Sequence, residues 1–235
     1  MTRRWIVLLA LLTLTTPLTA DGDRRAADQA ALAKLQDFVG EWKGVGRKKR
    51  NSGKGAWKET AAWAWAFEGG RAGLKLVAPD GRFVTDGMLL PVAERAGKFT
   101  FKATLKGDKT LAYKGELGKK GELVLTAAKA SSGQPARITM KTVADGDRLV
   151  VLFERKLGGS TFLRLGEIGY TRSGSGFGKG AKGSECIVTG GKGTIAVSYK
   201  GKTYYVCCSG CKDLFDEDPA AIIKEWEAAQ KKKGE

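Results

Sequence analysis

Residues 57–67 run Trp57-Lys58-Glu59-Thr60-Ala61-Ala62-Trp63-Ala64-Trp65-Ala66-Phe67. Trp57, Ala61, Trp63, Trp65 and Phe67 alternate with Lys58, Thr60, Ala62, Ala64 and Ala66. A period of two belongs to extended backbone, whose successive side chains point to opposite faces. The stretch is therefore expected to be a β-strand with one aromatic face. Those rings have two readings. They are core, because large aromatics dominate ordinary cores, or Trp57, Trp63, Trp65 and Phe67 line a cavity for a small apolar ligand. Glu59 either lines such a cavity or sits near a strand end in contact with solvent.

Working outward, the same strand chemistry recurs on both sides. A strand opens at Gly40-Glu41-Trp42, and further candidates are Leu74–Val77, Arg82–Leu90, Lys98–Leu105, Thr110–Leu117, Glu122–Ala127, Ala136–Val143, Arg148–Lys156 and Thr161–Thr171. Pro79-Asp80-Gly81, Gly107-Asp108, Lys119-Lys120-Gly121 and Asp145-Gly146-Asp147 supply turns between them. Around ten strands with short connections and no intervening helix predict a mainly β fold, an antiparallel up-and-down barrel or sandwich. Closure is favoured because a barrel leaves no exposed edge.

Before the first strand, Ala26 to Phe38 has helical periodicity, with Ala27, Ala31, Leu32, Leu35 and Phe38 on one side and Gly40 at its end. A helix followed by Gly-x-Trp resembles the opening of lipocalin-like (calycin) barrels. That resemblance implies that Trp42 plugs the closed end beneath a basic side chain from a late strand. Arg172, after Gly169-Tyr170-Thr171, is the candidate partner.

All four cysteines lie beyond the strands. Residues 173–183, rich in Ser and Gly, have the composition of a flexible linker. A second module is expected at 184–230, after a barrel at 25–172. Twenty residues separate Cys186 from Cys207, and three separate Cys207 from Cys211. A hairpin, Thr194–Tyr199 with Thr203–Cys207, fits in the first interval, and a turn entering a helix fits in the second. Three sulfurs could thus converge on a soft metal ion, which thiolates select over Mg or Ca. Asp218 is expected to cap a final helix with Pro219 in its first turn, and Ile222, Ile223, Trp226 and Ala229 to form its buried stripe.

Here the sequence resembles the YHS domain and the wider TRASH-type group of small cysteine modules proposed to bind metals. The matching elements are a Cys near Val188-Thr189-Gly190, the run Tyr199-Lys200-Gly201-Lys202-Thr203-Tyr204-Tyr205, Cys207 with Cys211, and Phe215-Asp216-Glu217-Asp218-Pro219. Ile187 stands where the family usually has Pro, Val206 where it usually has Phe, and the segment lacks His.

The thiol chemistry leaves alternatives open. Cu(I) accepts three sulfurs from Cys186, Cys207 and Cys211. Zn requires a fourth donor, whether water, a carboxylate such as Asp213, or Cys208. If residues 206–208 stay extended, Cys208 points away from Cys207. It is then a buried thiol or a redox partner instead of a ligand. Lys200, Lys202 and Lys212 would lower thiol pKa values. The bland alternative is two structural disulfides, against which stands the adjacency of Cys207 and Cys208.

The 235 residues contain no histidine. That removes Ser-His-Asp and Cys-His catalysis, His-Glu-x-x-His metalloprotease chemistry and His-ligated haem. Gly174 to Gly183 follows no phosphate-loop pattern, so no enzymatic activity is expected. The net charge of +16 could attract nucleic acid, but Arg47-Lys48-Lys49-Arg50 is a single surface run without an accompanying motif, so no specific nucleic-acid partner is expected. Residues 1–20 read as a cleaved export signal: Arg3 and Arg4, the apolar run Trp5 to Leu14, then Thr19-Ala20. Its apolar run is too short to span a bilayer. A periplasmic or extracellular location is expected, with no membrane span after cleavage and a mature charge of +14. The sequence thus predicts an exported, non-enzymatic binder of Cu(I) or Zn, for capture, carriage or sensing. The alternative is a carrier of a small apolar ligand in the barrel, with structural disulfides.

Overall fold

The computed structural model describes residues 18–50, 52, 54–93, 95–175, 184–188, 192–206 and 209–233. Ten antiparallel strands close into a barrel, each bonded to its sequence neighbour, with the first joined to the tenth. They are β1 (Gly40–Arg47), β2 (Trp57–Glu68), β3 (Arg71–Val77), β4 (Val84–Pro91), β5 (Lys98–Leu105), β6 (Thr110–Leu117), β7 (Leu123–Ala127), β8 (Arg137–Val143), β9 (Arg148–Gly158) and β10 (Thr161–Arg172). The up-and-down topology read from short turn-rich connections is the one observed.

Alternation decides which side chains fill the interior. Along β2 the faces alternate, and Glu59, Ala61, Trp63 and Trp65 are buried. Trp63 packs against Phe38 and Phe101, ring centroids 6.2 and 5.9 Å apart, and Phe101 packs against Tyr113 at 6.1 Å. Replacing such a ring by alanine typically costs about 3–5 kcal/mol. At the β2–β3 turn, Gly69 and Gly70 both have positive φ (54° and 69°), the conformation that turns a tight hairpin with the sheet's own twist.

One end of the barrel is closed by the N-terminal segment. Helix α1 (Leu18–Leu32) passes into a 3-10 helix (Ala33–Phe38) that buries Leu35 and Phe38. The helix starts earlier than its apolar periodicity indicates, and Ala27 and Ala31 are exposed. Its inward residues are Asp28 and Leu32. Asp28 faces the barrel because it accepts hydrogen bonds from Arg71 Nε (2.5 Å), Arg71 Nη2 (3.1 Å) and the Ala72 amide (3.1 Å). The carboxylate raises the Arg71 pKa through that hydrogen bond.

Trp42 and Arg172 are direct partners across β1 and β10. The guanidinium carbon lies 4.3 Å from the Trp42 ring centroid, and Trp42 Nε1 donates to the Phe38 carbonyl at 2.8 Å. The pairing expected from the Gly-x-Trp opening is therefore present. Ten strands and this pair define a closed barrel; they do not assign it to the lipocalins.

Beyond the barrel, β11 (Ser184–Glu185) pairs with β12 (Lys192–Gly193), and β13 (Ile195–Tyr199) with β14 (Lys202–Val206). Lys200 and Gly201, both at positive φ, turn the second hairpin. Two helices follow, α2 (Ser209–Glu217) and α3 (Pro219–Lys233). The first stands where the Cys207–Cys211 spacing indicates entry into a helix, and the second starts with the expected cap: the Ala221 amide donates to Asp218 Oδ1 at 3.0 Å. Ile222, Ile223 and Trp226 pack on the core, while Ala229 is exposed. Tyr204 bridges the two layers, 6.0 Å from Phe215 and 6.5 Å from Trp226.

Helix α2 lies against the outside of β2. The outward residues there are Ala62, Ala64 and Ala66, all half-buried. Small side chains let a helix approach the strand closely, so the alternation that turns four aromatics inward also builds a smooth outer face.

Candidate metal centre

Backbone hydrogen bonds bring the ends of the cysteine segment together. The Ile187 amide donates to the Tyr205 carbonyl at 2.9 Å, and the Thr194 amide to the Val206 carbonyl at 2.9 Å. The chain at Cys186 is thereby held beside the C-terminal end of β14, two residues before α2 begins. Cys211 lies in the first turns of α2. Cys186 and Cys211 are both 0% exposed, in one apolar cluster with Ile187, Val206 and Phe215. Burial among apolar groups suits a soft sulfur donor, because it keeps water from competing for the ion.

Cys207 and Cys208 lie outside the described residues, so the three-sulfur arrangement and the role of Cys208 are not placed. Among the described residues, no group of three Cys, His, Asp or Glu side chains forms a cation site. Asp213 is exposed on α2. Of the lysines expected to bias the thiols, Lys212 is held by Asp216 on the next turn, which raises the lysine's pKa. Lys200 sits 5.2 Å over the Tyr199 ring.

The aromatic residues proposed as a cavity wall divide between two positions. Trp63 and Trp65 are buried mid-barrel, and Trp65 stacks nearly parallel on Phe67 with centroids 6.1 Å apart. Trp57 is half-buried at the other end, edge-on to Phe83 at 5.8 Å, with the Arg82 guanidinium 4.7 Å above it.

Glu59 is only 5% exposed and does not face solvent. It accepts hydrogen bonds from Trp57 Nε1 (2.6 Å), the Arg82 amide (3.2 Å) and the Tyr170 hydroxyl. Burial, followed by the neighbouring carboxylate, pushes the Tyr170 pKa above the ordinary phenol range. The period of two already carried this signal, since Glu59 shares parity with Trp57 and Ala61. Of the two positions the sequence allows, the inward one among the aromatics is the one observed.

Residues 192–224 match the YHS domain. That family is associated with metal binding, and the match covers the hairpin, Cys211 and the start of α3. No curated protein matches the chain. A crystal structure of Rv2717c from M. tuberculosis is similar with a TM-score of 0.39 and 16% sequence identity, over 61% of this chain and 97% of that one. The described residues contain no helix long and apolar enough to cross a membrane.

Proposed function

We propose that the chain is an exported, non-enzymatic protein that holds a soft metal ion, Cu(I) or Zn, through Cys186, Cys207 and Cys211. The observation carrying this reading is the complete burial of Cys186 and Cys211, the second in α2 inside the segment that matches the YHS domain and the first beside the end of β14, six residues before that segment starts. Two cysteines twenty-five positions apart are both buried, one held beside β14 by the Ile187–Tyr205 hydrogen bond and the other on the helix that follows β14 in sequence. A three-thiolate donor set suits Cu(I) directly. Zn would complete its tetrahedron with one further donor.

Such a site captures, carries or senses an ion and has no need of a catalytic base. Metal analysis of protein purified without a chelating tag, with thiols counted before and after denaturation, tests it. One equivalent of Cu(I) or Zn with all thiols protected until denaturation supports the reading. Metal-free protein with all four cysteines oxidised overturns it.

A further inference from the structure

The two ends of the barrel differ in charge. The end opposite α1 carries the β1–β2, β3–β4, β5–β6 and β7–β8 connections and the tip of the β9–β10 hairpin. Residues 48–56, 78–83, 106–109, 128–136 and 155–163 contain ten Lys or Arg against only Asp80 and Asp108. Nine of the ten are exposed and Arg155 is half-buried. At the α1 end, Asp23, Asp28, Asp37, Glu122, Asp145 and Asp147 balance the Lys and Arg. The +16 of the chain is therefore not spread evenly over its surface.

The basic end also projects an apolar tip. β9 pairs with β8 only as far as Glu154, and β10 with β1 only from Glu167. Residues 155–163 thus extend past the rim as a two-stranded ribbon. Leu157 falls at the register shift between the Thr161–Gly158 and Phe162–Lys156 pairs and is 58% exposed. Leu163 is 39% exposed, opposite Arg155. Two exposed leucines flanked by Arg155 and Lys156 have the composition of a segment that dips into a lipid interface while its cations stay with the headgroups.

We propose that this end of the barrel docks on an anionic lipid surface, with the β9–β10 tip entering the interface and Lys48, Lys49 and Arg50 engaging the headgroups. Charge complementarity picks the partner, and the leucines distinguish it from nucleic acid, to which they offer no contact. The nearest ring, Phe162, has one face covered by the Arg137 guanidinium at 4.0 Å. The barrel lies on the bilayer and does not span it, since outward positions on β5 and β6 are Lys98, Thr100, Lys102, Lys114 and Glu116.

The test is flotation of the chain from Asp21 onward, which keeps the barrel, the packed part of α1 and the whole cysteine segment without the apolar run of residues 5–14. Vesicles of phosphatidylcholine alone are compared with vesicles containing phosphatidylglycerol. The expected result is binding only to the anionic vesicles, weakened by salt. K48E/K49E/R50E should lower affinity at least about tenfold, L157D/L163D should lower it further at high salt, and K119E/K120E at the far end should leave it unchanged. Unaltered far-ultraviolet spectra establish that the variants fold. The proposal fails if neither vesicle binds, if K119E/K120E loses as much as K48E/K49E/R50E, if L157D/L163D binds like the parent, or if duplex DNA is bound while anionic vesicles are not.

Discussion

Arg172 lies flat over Trp42, its guanidinium carbon 4.3 Å from the ring centroid, and its nitrogens donate to the carbonyls of Asp37 (2.6 Å), Val39 and Gly146 (2.8 and 3.0 Å). One side chain thus ties the 3-10 helix, β10 and the β8–β9 turn into the plug of the barrel. Gly40, at φ +136°, is part of the same arrangement, because a Cβ there would fall on the guanidinium. Replacing Arg172 with Met leaves the carbonyls of Asp37, Val39 and Gly146, the last two buried, short of a donor. The expected cost is about 2–4 kcal/mol, read as a lower urea midpoint at unchanged slope.

Gly46 faces the Trp57 ring so closely that any Cβ would overlap it. Gly46→Ala should therefore displace the indole from its place over β1 and break its hydrogen bond to Glu59. A loss of about 1–3 kcal/mol is expected, with a red shift in tryptophan emission. An unshifted spectrum would show that the ring has another resting place.

Tyr113 and Tyr170 are both buried phenols whose pKa values are raised, the first by burial alone and the second by burial together with Glu59. Ionisation is then easier in the unfolded chain than in the folded one. The stabilisation is complete below the ordinary phenol pKa and falls as pH rises past it, by up to about 1.4 kcal/mol per pH unit for each group. Urea midpoints measured from neutral to strongly alkaline pH should fall above pH 10, and less steeply in Tyr170→Phe than in the parent.

Asp28 is held by Arg71 and by the Ala72 amide, with its carboxylate side chain 8% exposed. Asp28→Ala removes the acceptor from all three donors and should cost about 1–3 kcal/mol. It should also speed amide exchange at the start of β3, which distinguishes local detachment of α1 from general loosening.

Metal held by thiolates must give way to protons as the solution is acidified. If the three cysteines hold the ion, Cys186→Ser, Cys207→Ser and Cys211→Ser should each abolish stoichiometric retention. The parent should release its metal with proton uptake as pH falls. Competition against a coloured chelator reads both effects. Full retention in Cys186→Ser would remove that residue from the ligand set.

The barrel was readable because strand alternation and turn chemistry are local. Lys98–Leu105 and Thr110–Leu117 begin and end where their turns require. The N-terminal helix was less so, because its inward face carries Asp28, whose burial depends on Arg71 more than forty residues away. The same holds for Glu59, which needs Tyr170 from the last strand of the barrel. A helix after Cys207 was legible in the cysteine spacing, and α2 carries Cys211, Leu214 and Phe215 along one side. It is held by what it packs on. In the cysteine segment, spacing and turn residues revealed the β13–β14 hairpin and the Asp218 cap, but no local pattern could reveal that a helix would settle on the barrel.

That resting place gives β2 two tenants. Its indoles furnish one compartment, and its alanines form the floor beneath the helix that bears Cys211. Any displacement of the helix, such as an ion drawing sulfur atoms together, would press on a wall whose reverse side holds Trp63 and Trp65. If the thiols take up an ion, the barrel should serve as an optical reporter, its intrinsic fluorescence changing on loading at a distance from the ion itself.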